Sequence, residues 1–73
     1  MEYNNRMERF SERLKELRIE KGLSIQMLSK DIGIGVASIC RWENGKADVK
    51  GMQLIVLAKY FGVTTDYLLG LED

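Results

Sequence analysis

The chain has no proline, no histidine and a single cysteine among its 73 residues, and each shortage excludes something. Without proline, no ring closes off a helix interior. With Cys40 alone, no disulfide can form within the chain, so stability has to come from packing, which suits a reducing compartment. Without histidine, and with one thiol, the sequence has neither a ligand-spaced metal cluster nor a nucleophile with its base, and no glycine loop of the phosphate-cradling kind replaces them. An enzyme, a metal site, a cofactor and a small-molecule ligand are therefore not expected. No apolar run approaches the roughly 20 residues that span a bilayer, and MEYNNRMERF has no apolar segment of the export-signal type, so neither a membrane partner nor secretion is expected.

Net charge is also lacking: 11 basic residues balance 11 acidic ones. Polyanion binding by counterion release normally draws on an excess of lysine and arginine. The distribution is less even than the total. Residues 1–29 carry six basic and five acidic side chains, residues 30–50 four and three, and residues 51–73 one and three, or +1, +1 and −2. The carboxyl end is the acidic pole, and one mildly basic face remains possible elsewhere.

What is present is apolar spacing at i, i+3 and i+4, which predicts an all-α fold of five short helices in one domain over residues 1–73. Asn5 followed by Glu8 resembles a capping box that starts a first helix near Arg6, with Met7, Phe10, Leu14 and Leu17 as its inner stripe. Gly22 stops it, Leu23 turns inward and Ser24 caps the next helix. A fourth helix carries Leu54, Ile55, Leu57, Ala58 and Phe61, with Asp48 as its expected cap and Gly62 as its stop. Thr64 or Thr65 then caps a short last helix through Tyr67, Leu68 and Leu69.

The segment Ile25–Asn44, IQMLSKDIGIGVASICRWEN, is the most informative. Leu28 and Ile32 are four residues apart, and Ile39 and Trp42 are three apart, with Gly33, Ile34 and Gly35 between the two pairs. Gly33 can take a positive φ and end one helix, Ile34 can fill the angle, and Gly35 can open the next. Two short helices across a tight turn make a helix-turn-helix over 25–44.

Four segments in this order, FSERLKELRIEKGLS (10–24), DIGIG (31–35), ICRWENGK (39–46) and LAKYFGVTTDYLLG (57–70), make the chain similar to the Cro and phage-repressor type of helix-turn-helix domain, the XRE family. The resemblance implies a lambda-repressor-like bundle whose recognition helix, about residues 35–44, enters the major groove of double-stranded DNA. It assigns base reading to Val36, Ala37, Ser38, Cys40 and Arg41. Arg41 can bond guanine O6 and N7 as a bidentate pair, and Val36 and Ala37 can touch thymine methyl groups. It assigns phosphate contacts to Ser24, Ile25, Gln26, Asn44 and Lys46, with Arg13, Lys30 and Lys50 as further cations that solvent alone could equally explain. It also implies an ion pair between Arg18 and Glu43 that braces the recognition helix.

The expected function is a sequence-specific transcriptional regulator, a cytoplasmic, prokaryotic or phage-encoded repressor acting at the nucleoid. A homodimer would read a near-palindromic operator, with Tyr67, Leu68, Leu69 and Leu71 as its contact surface. Six positions depart from the family pattern. Ile25 and Met27 replace the usual polar residues of the second helix, Gly35 replaces a Ser or Thr cap, and Val49, Lys50 and Gly51 replace a proline-containing loop. With Val36, Ile25 and Met27 could form an apolar patch, so a protein-binding module such as an antitoxin, antirepressor or adaptor is the alternative.

Overall fold

Helix punctuation is set by short-range chemistry, and the five helices begin and end where it dictates. A computed structural model describes the backbone of residues 2–72 and the side chains of residues 8–72. The order is α1 (Glu2–Glu20), α2 (Ile25–Ile32), α3 (Val36–Glu43), α4 (Gly51–Phe61) and α5 (Thr65–Leu68). The Ser24 hydroxyl accepts the Met27 N–H at 3.1 Å and starts α2, and the Thr64 hydroxyl accepts the Tyr67 N–H at 2.9 Å and starts α5. At the other end of α2, Gly33 sits at φ 71° and donates its N–H to the Ser29 carbonyl, the left-handed stop that lets the chain turn within three residues into α3.

Two starts differ from the expected ones. α1 begins at Glu2 rather than near Arg6, since EYNN contains no breaker. The Asn5 cap and the Met7 side chain lie outside the described side chains. α4 is not capped by Asp48, whose carboxylate accepts from the adjacent Val49 N–H at 3.1 Å; instead Gln53 Oε1 reaches back to the Lys50 N–H at 3.3 Å.

The core joins all five helices. Phe10, Leu14, Leu28, Ile39, Trp42, Leu57, Ala58 and Leu68 are buried together, ringed by half-buried Leu17, Leu23, Ile25, Ile32, Ile34, Leu54 and Phe61. α1 packs against α3 and α5, α2 against α3 and α4, and α4 against α5. Phe10 and Trp42 meet edge to face, 6.2 Å between centroids, the favoured quadrupolar arrangement that seats α3 on α1.

Two apolar residues do not go where the pattern suggested. Ile55, one of the apolar residues that mark α4 in the sequence, is 44% exposed, because Leu54, Leu57, Ala58 and Phe61 already occupy the inner arc of α4. Leu68, expected at a dimer surface, is fully buried: α5 is one turn long, and this leucine is what it contributes to the core. Tyr67 and Leu69 are half-buried and Leu71 is exposed.

The carboxyl-terminal turn is held down by two arginines of α1. Arg9 Nη1 donates to the Gly70 carbonyl at 3.2 Å. Arg13 Nη1 donates to the carbonyls of Tyr67 at 2.7 Å and Glu72 at 2.5 Å, and its guanidinium stacks 4.2 Å from the centre of the Tyr67 ring. Arg13 is thus turned to α5 and not to a phosphate.

Candidate nucleic-acid interface

α3 is only eight residues long, so its two faces can be assigned residue by residue. Ile39 and Trp42 point into the core, which turns Val36, Ala37 and Arg41 outward at helical spacing, all three exposed. Ser38 and Cys40 are half-buried on the two flanks of that face. Gly35 caps the helix with its backbone alone, its carbonyl accepting the N–H groups of Ser38 at 3.1 Å and Ile39 at 3.2 Å.

The charges of α3 are sorted to opposite sides. Among its eight residues only Arg41 and Glu43 are ionised. Glu43 is withdrawn from solvent and held by Arg18 of α1, with Nε to Oε2 at 2.6 Å and Nη2 to Oε1 at 3.0 Å, while Arg18 Nη1 donates to the Leu23 carbonyl at 2.7 Å. The two side chains are 13% and 5% exposed. The hydrogen bonds that Arg18 donates to Glu43, with the carboxylate's charge, outweigh the opposing effect of burial and raise the Arg18 pKa above its ordinary value. Arg41 is left as the charged group on the outward face.

Both ends of the helix-turn-helix present groups suited to phosphate. Ser24 takes the Met27 N–H at one end of α2, and the Ile25 and Gln26 N–H groups of that first turn have no intrahelical acceptor. Gln26 is exposed; the Ile25 side chain is half-buried against the core, so its backbone is what it can offer. At the end of α3, Gly45 at φ 68° lets the Lys46 N–H return to the Arg41 carbonyl at 2.8 Å and its own N–H to Trp42 at 3.2 Å. That closure fixes exposed Asn44 and Lys46 just beyond the helix.

One contributor carries no signal in the sequence. The Ser11 hydroxyl of α1, buried, donates to the Trp42 carbonyl in the last turn of α3. A serine between apolar stripe positions looks like surface, and only the α1 to α3 packing brings it under a carbonyl in the last turn of α3. Near it, an open hollow is lined by Glu8, Ser11, Glu12, Lys15, Glu43, Asn44 and Gly45. Of the apolar trio Ile25, Met27 and Val36, Met27 is 50% and Val36 37% exposed, whereas Ile25 packs inward and breaks the patch.

Among the described residues no group of three or more His, Cys, Asp or Glu could hold a metal ion, and no helix is long and apolar enough to cross a membrane.

Residues 14–68, from the first core leucine through α5, match the family model described as helix-turn-helix. The chain is 34% identical over 64 residues to the HTH-type transcriptional activator BcrR of Enterococcus faecalis, covering 88% of this chain and 31% of that protein. It is 40% identical over 60 residues to the SPbeta prophage-derived HTH-type transcriptional regulator YonR of Bacillus subtilis, covering 82% and 56% of the two chains. It is 33% identical over 64 residues to the HTH-type transcriptional regulator YobD of Bacillus subtilis, covering 88% and 57%. The chain thus spans about a third of the first relative and somewhat over half of the other two.

Proposed function

Because the chain belongs to the helix-turn-helix family of DNA-binding transcriptional regulators, we propose that it binds one operator sequence specifically, as a homodimer, and represses by occupying a promoter. In this reading α3 lies in the major groove. Arg41 reads a guanine edge, and Val36 and Ala37 meet thymine methyl groups with Ser38 and Cys40 beside them. Ser24, the first N–H groups of α2 at Ile25 and Gln26, Asn44 and Lys46 grip phosphates on either side and set the register. Two copies related by a twofold axis would read half-sites roughly 34 Å apart. The protein acts in the cytoplasm, where its DNA is.

The observation that carries the reading is the sorting of charge on α3: its one carboxylate is paired inward with Arg18 and its one cation faces out. A helix with that polarity approaches a polyanion without repulsion, even though the whole chain is neutral. BcrR is named an activator, and repression is chosen here because occlusion needs only DNA binding.

The test is selection from a randomised duplex pool, followed by fluorescence anisotropy at several salt concentrations. A selected near-palindrome, bound about ten- to a hundredfold more weakly by Arg41→Ala, is the expected result. Failure to enrich any sequence, with Arg41→Ala equal to wild type, overturns it.

A further inference from the structure

Thymine and 5-methylcytosine carry a methyl group at the same ring position, C5, and expose it at the same place in the major groove. They differ there in one neighbouring group, an O4 acceptor on thymine and an N4 donor on cytosine. A protein surface tells the two apart only by offering a hydrogen-bonding partner to that group. The outward face of α3 offers none at its amino-terminal end. Val36 and Ala37 end in methyl groups, and the Ser38 hydroxyl is half-buried on the flank. Glu43, the one carboxylate of α3 and the kind of acceptor that a cytosine N4 amino group needs, is held by Arg18.

We propose that Ala37, with Val36 beside it, reads the C5 methyl group of a pyrimidine next to the Arg41 guanine and does not distinguish thymine from 5-methylcytosine, so that cytosine methylation creates a site where plain cytosine makes none. The proposal rests on the DNA-binding reading above and adds to it a response to the chemical state of the DNA. Recognition is then of a methyl group, whichever base bears it.

Three features of α3 favour this. Ala37 is exposed in the first turn, the part of a recognition helix that reaches base edges, and Gly35 before it has no side chain to hold that end off the bases. Helical side chains lean towards the amino terminus, so Arg41 reaches back over the turn that holds Ala37. The Cβ positions of the two residues, four apart in sequence, are about 5–6 Å from each other. Bases along a strand are spaced at about 3.4 Å, so a guanine taken by Arg41 places a neighbouring base beneath Ala37. The alanine is also small. A methyl group fits against it with the helix close to the groove, and burying that methyl is worth about fourfold in binding, the transfer of one carbon from water.

Fluorescence anisotropy of the full chain tests this on the duplex enriched from the random pool, with the thymine beside the Arg41 guanine replaced in turn by deoxyuridine, 5-methylcytosine and cytosine, the last two paired with guanine. Thymine against deoxyuridine, and 5-methylcytosine against cytosine, are two comparisons that each differ by one methyl group. The expected result is a ratio of about fourfold per methyl in both, with the two methylated duplexes bound alike. Ala37→Gly should bring both ratios close to one. Ala37→Ser, gentler on the helix, should lower both by setting a hydroxyl against the methyl. Arg41→Ala should weaken every duplex and leave the ratios in place. Each ratio is taken within one variant, so a change in folding cancels. Ratios near one in the wild type, ratios that survive in both Ala37 variants, or an enriched site with no thymine beside that guanine overturn the methyl reading and leave DNA recognition standing. A pool from which no duplex is enriched overturns DNA recognition, and the methyl reading with it.

Discussion

Arg18 and Glu43 share two hydrogen bonds, at 2.6 and 3.0 Å, and so tie the end of α1 to the last turn of α3. A third bond from Arg18, to the Leu23 carbonyl, fastens the same guanidinium to the turn leading into α2. One side chain thereby sets the relative position of three helices, and the carboxylate it holds is kept away from the surface where phosphates are expected.

Removing either partner leaves the other without its hydrogen-bonded counterpart in a mostly desolvated place. Glu43→Ala and Arg18→Ala should each cost on the order of 2–3 kcal/mol, read as a fall in the urea midpoint without a change in m. Replacing both by apolar residues, as in Arg18→Met with Glu43→Leu, should recover most of the loss, because no charge is left stranded. A double variant no better than the worse single one would argue against the pair as the origin of the effect.

Arg41 tests specificity and stability separately. Its side chain is exposed and supports no part of the fold, so Arg41→Ala should leave the melting temperature within the range of a neutral surface change, about 0.5 kcal/mol. Binding to the enriched duplex should weaken by about 1–3 kcal/mol, and discrimination should relax at a single base pair per half-site. A uniform loss across all sequences, with a shallower salt dependence, would instead identify Arg41 as a phosphate contact.

The parts of this architecture that were legible in the sequence are those governed by local chemistry. Ser24, Gly33, Thr64 and Gly62 act within one turn of themselves, and the apolar pairs Leu28/Ile32 and Ile39/Trp42 follow helical spacing, so five helices and their inner faces could be read directly. The resemblance then supplied the Arg18 and Glu43 partnership, which no local rule contains. The misplaced residues are those decided by tertiary competition. Leu68 and Leu71 are equally apolar and three apart, and only the shortness of α5 decides that one is buried and the other 67% exposed. Ile55 has the same composition signal as Leu57, yet α4 has more apolar residues than its inner arc can hold. Ser11 and Arg13 look like solvated surface until α3 and α5 are packed on α1.

Gly62 and Gly70 offer a controlled comparison, the first just after α4 and the second just after α5. Both sit in the left-handed region, at φ 69° and 78°. A Cβ on Gly62 meets nothing within 4 Å, so Gly62→Ala should cost only the backbone term, about 1 kcal/mol. A Cβ on Gly70 would overlap the Arg9 side chain near its base, where it cannot swing away easily. Gly70→Ala should therefore cost more than Gly62→Ala, and the excess should shrink in an Arg9→Ala background, which removes the Cγ and Cδ contacts, and disappear only in Arg9→Gly, which removes the Cβ contact at 2.6 Å as well. An excess unchanged in both backgrounds would mean that the carboxyl-terminal turn is not held by Arg9.

Tyr60 provides a contact with a definite pH signature. Its hydroxyl donates to Asp31 Oδ2 at 2.6 Å and joins α4 to α2. That hydrogen bond, followed by burial and the charge of Asp31, raises the phenol pKa above its ordinary 10 in the folded domain. The unfolded chain keeps the ordinary value, so the stabilising contribution is fully present below about pH 10 and is lost as the pH rises through the raised folded value. The ammonium of Lys21 lies 5.3 Å from the centre of the same ring. The difference in melting temperature between wild type and Tyr60→Phe should accordingly be constant from pH 7 to 9 and shrink above pH 10. A gap that persists unchanged into strongly alkaline solution would show that the variant acts through packing, and that the hydroxyl to Asp31 bond adds nothing to the docking of α4.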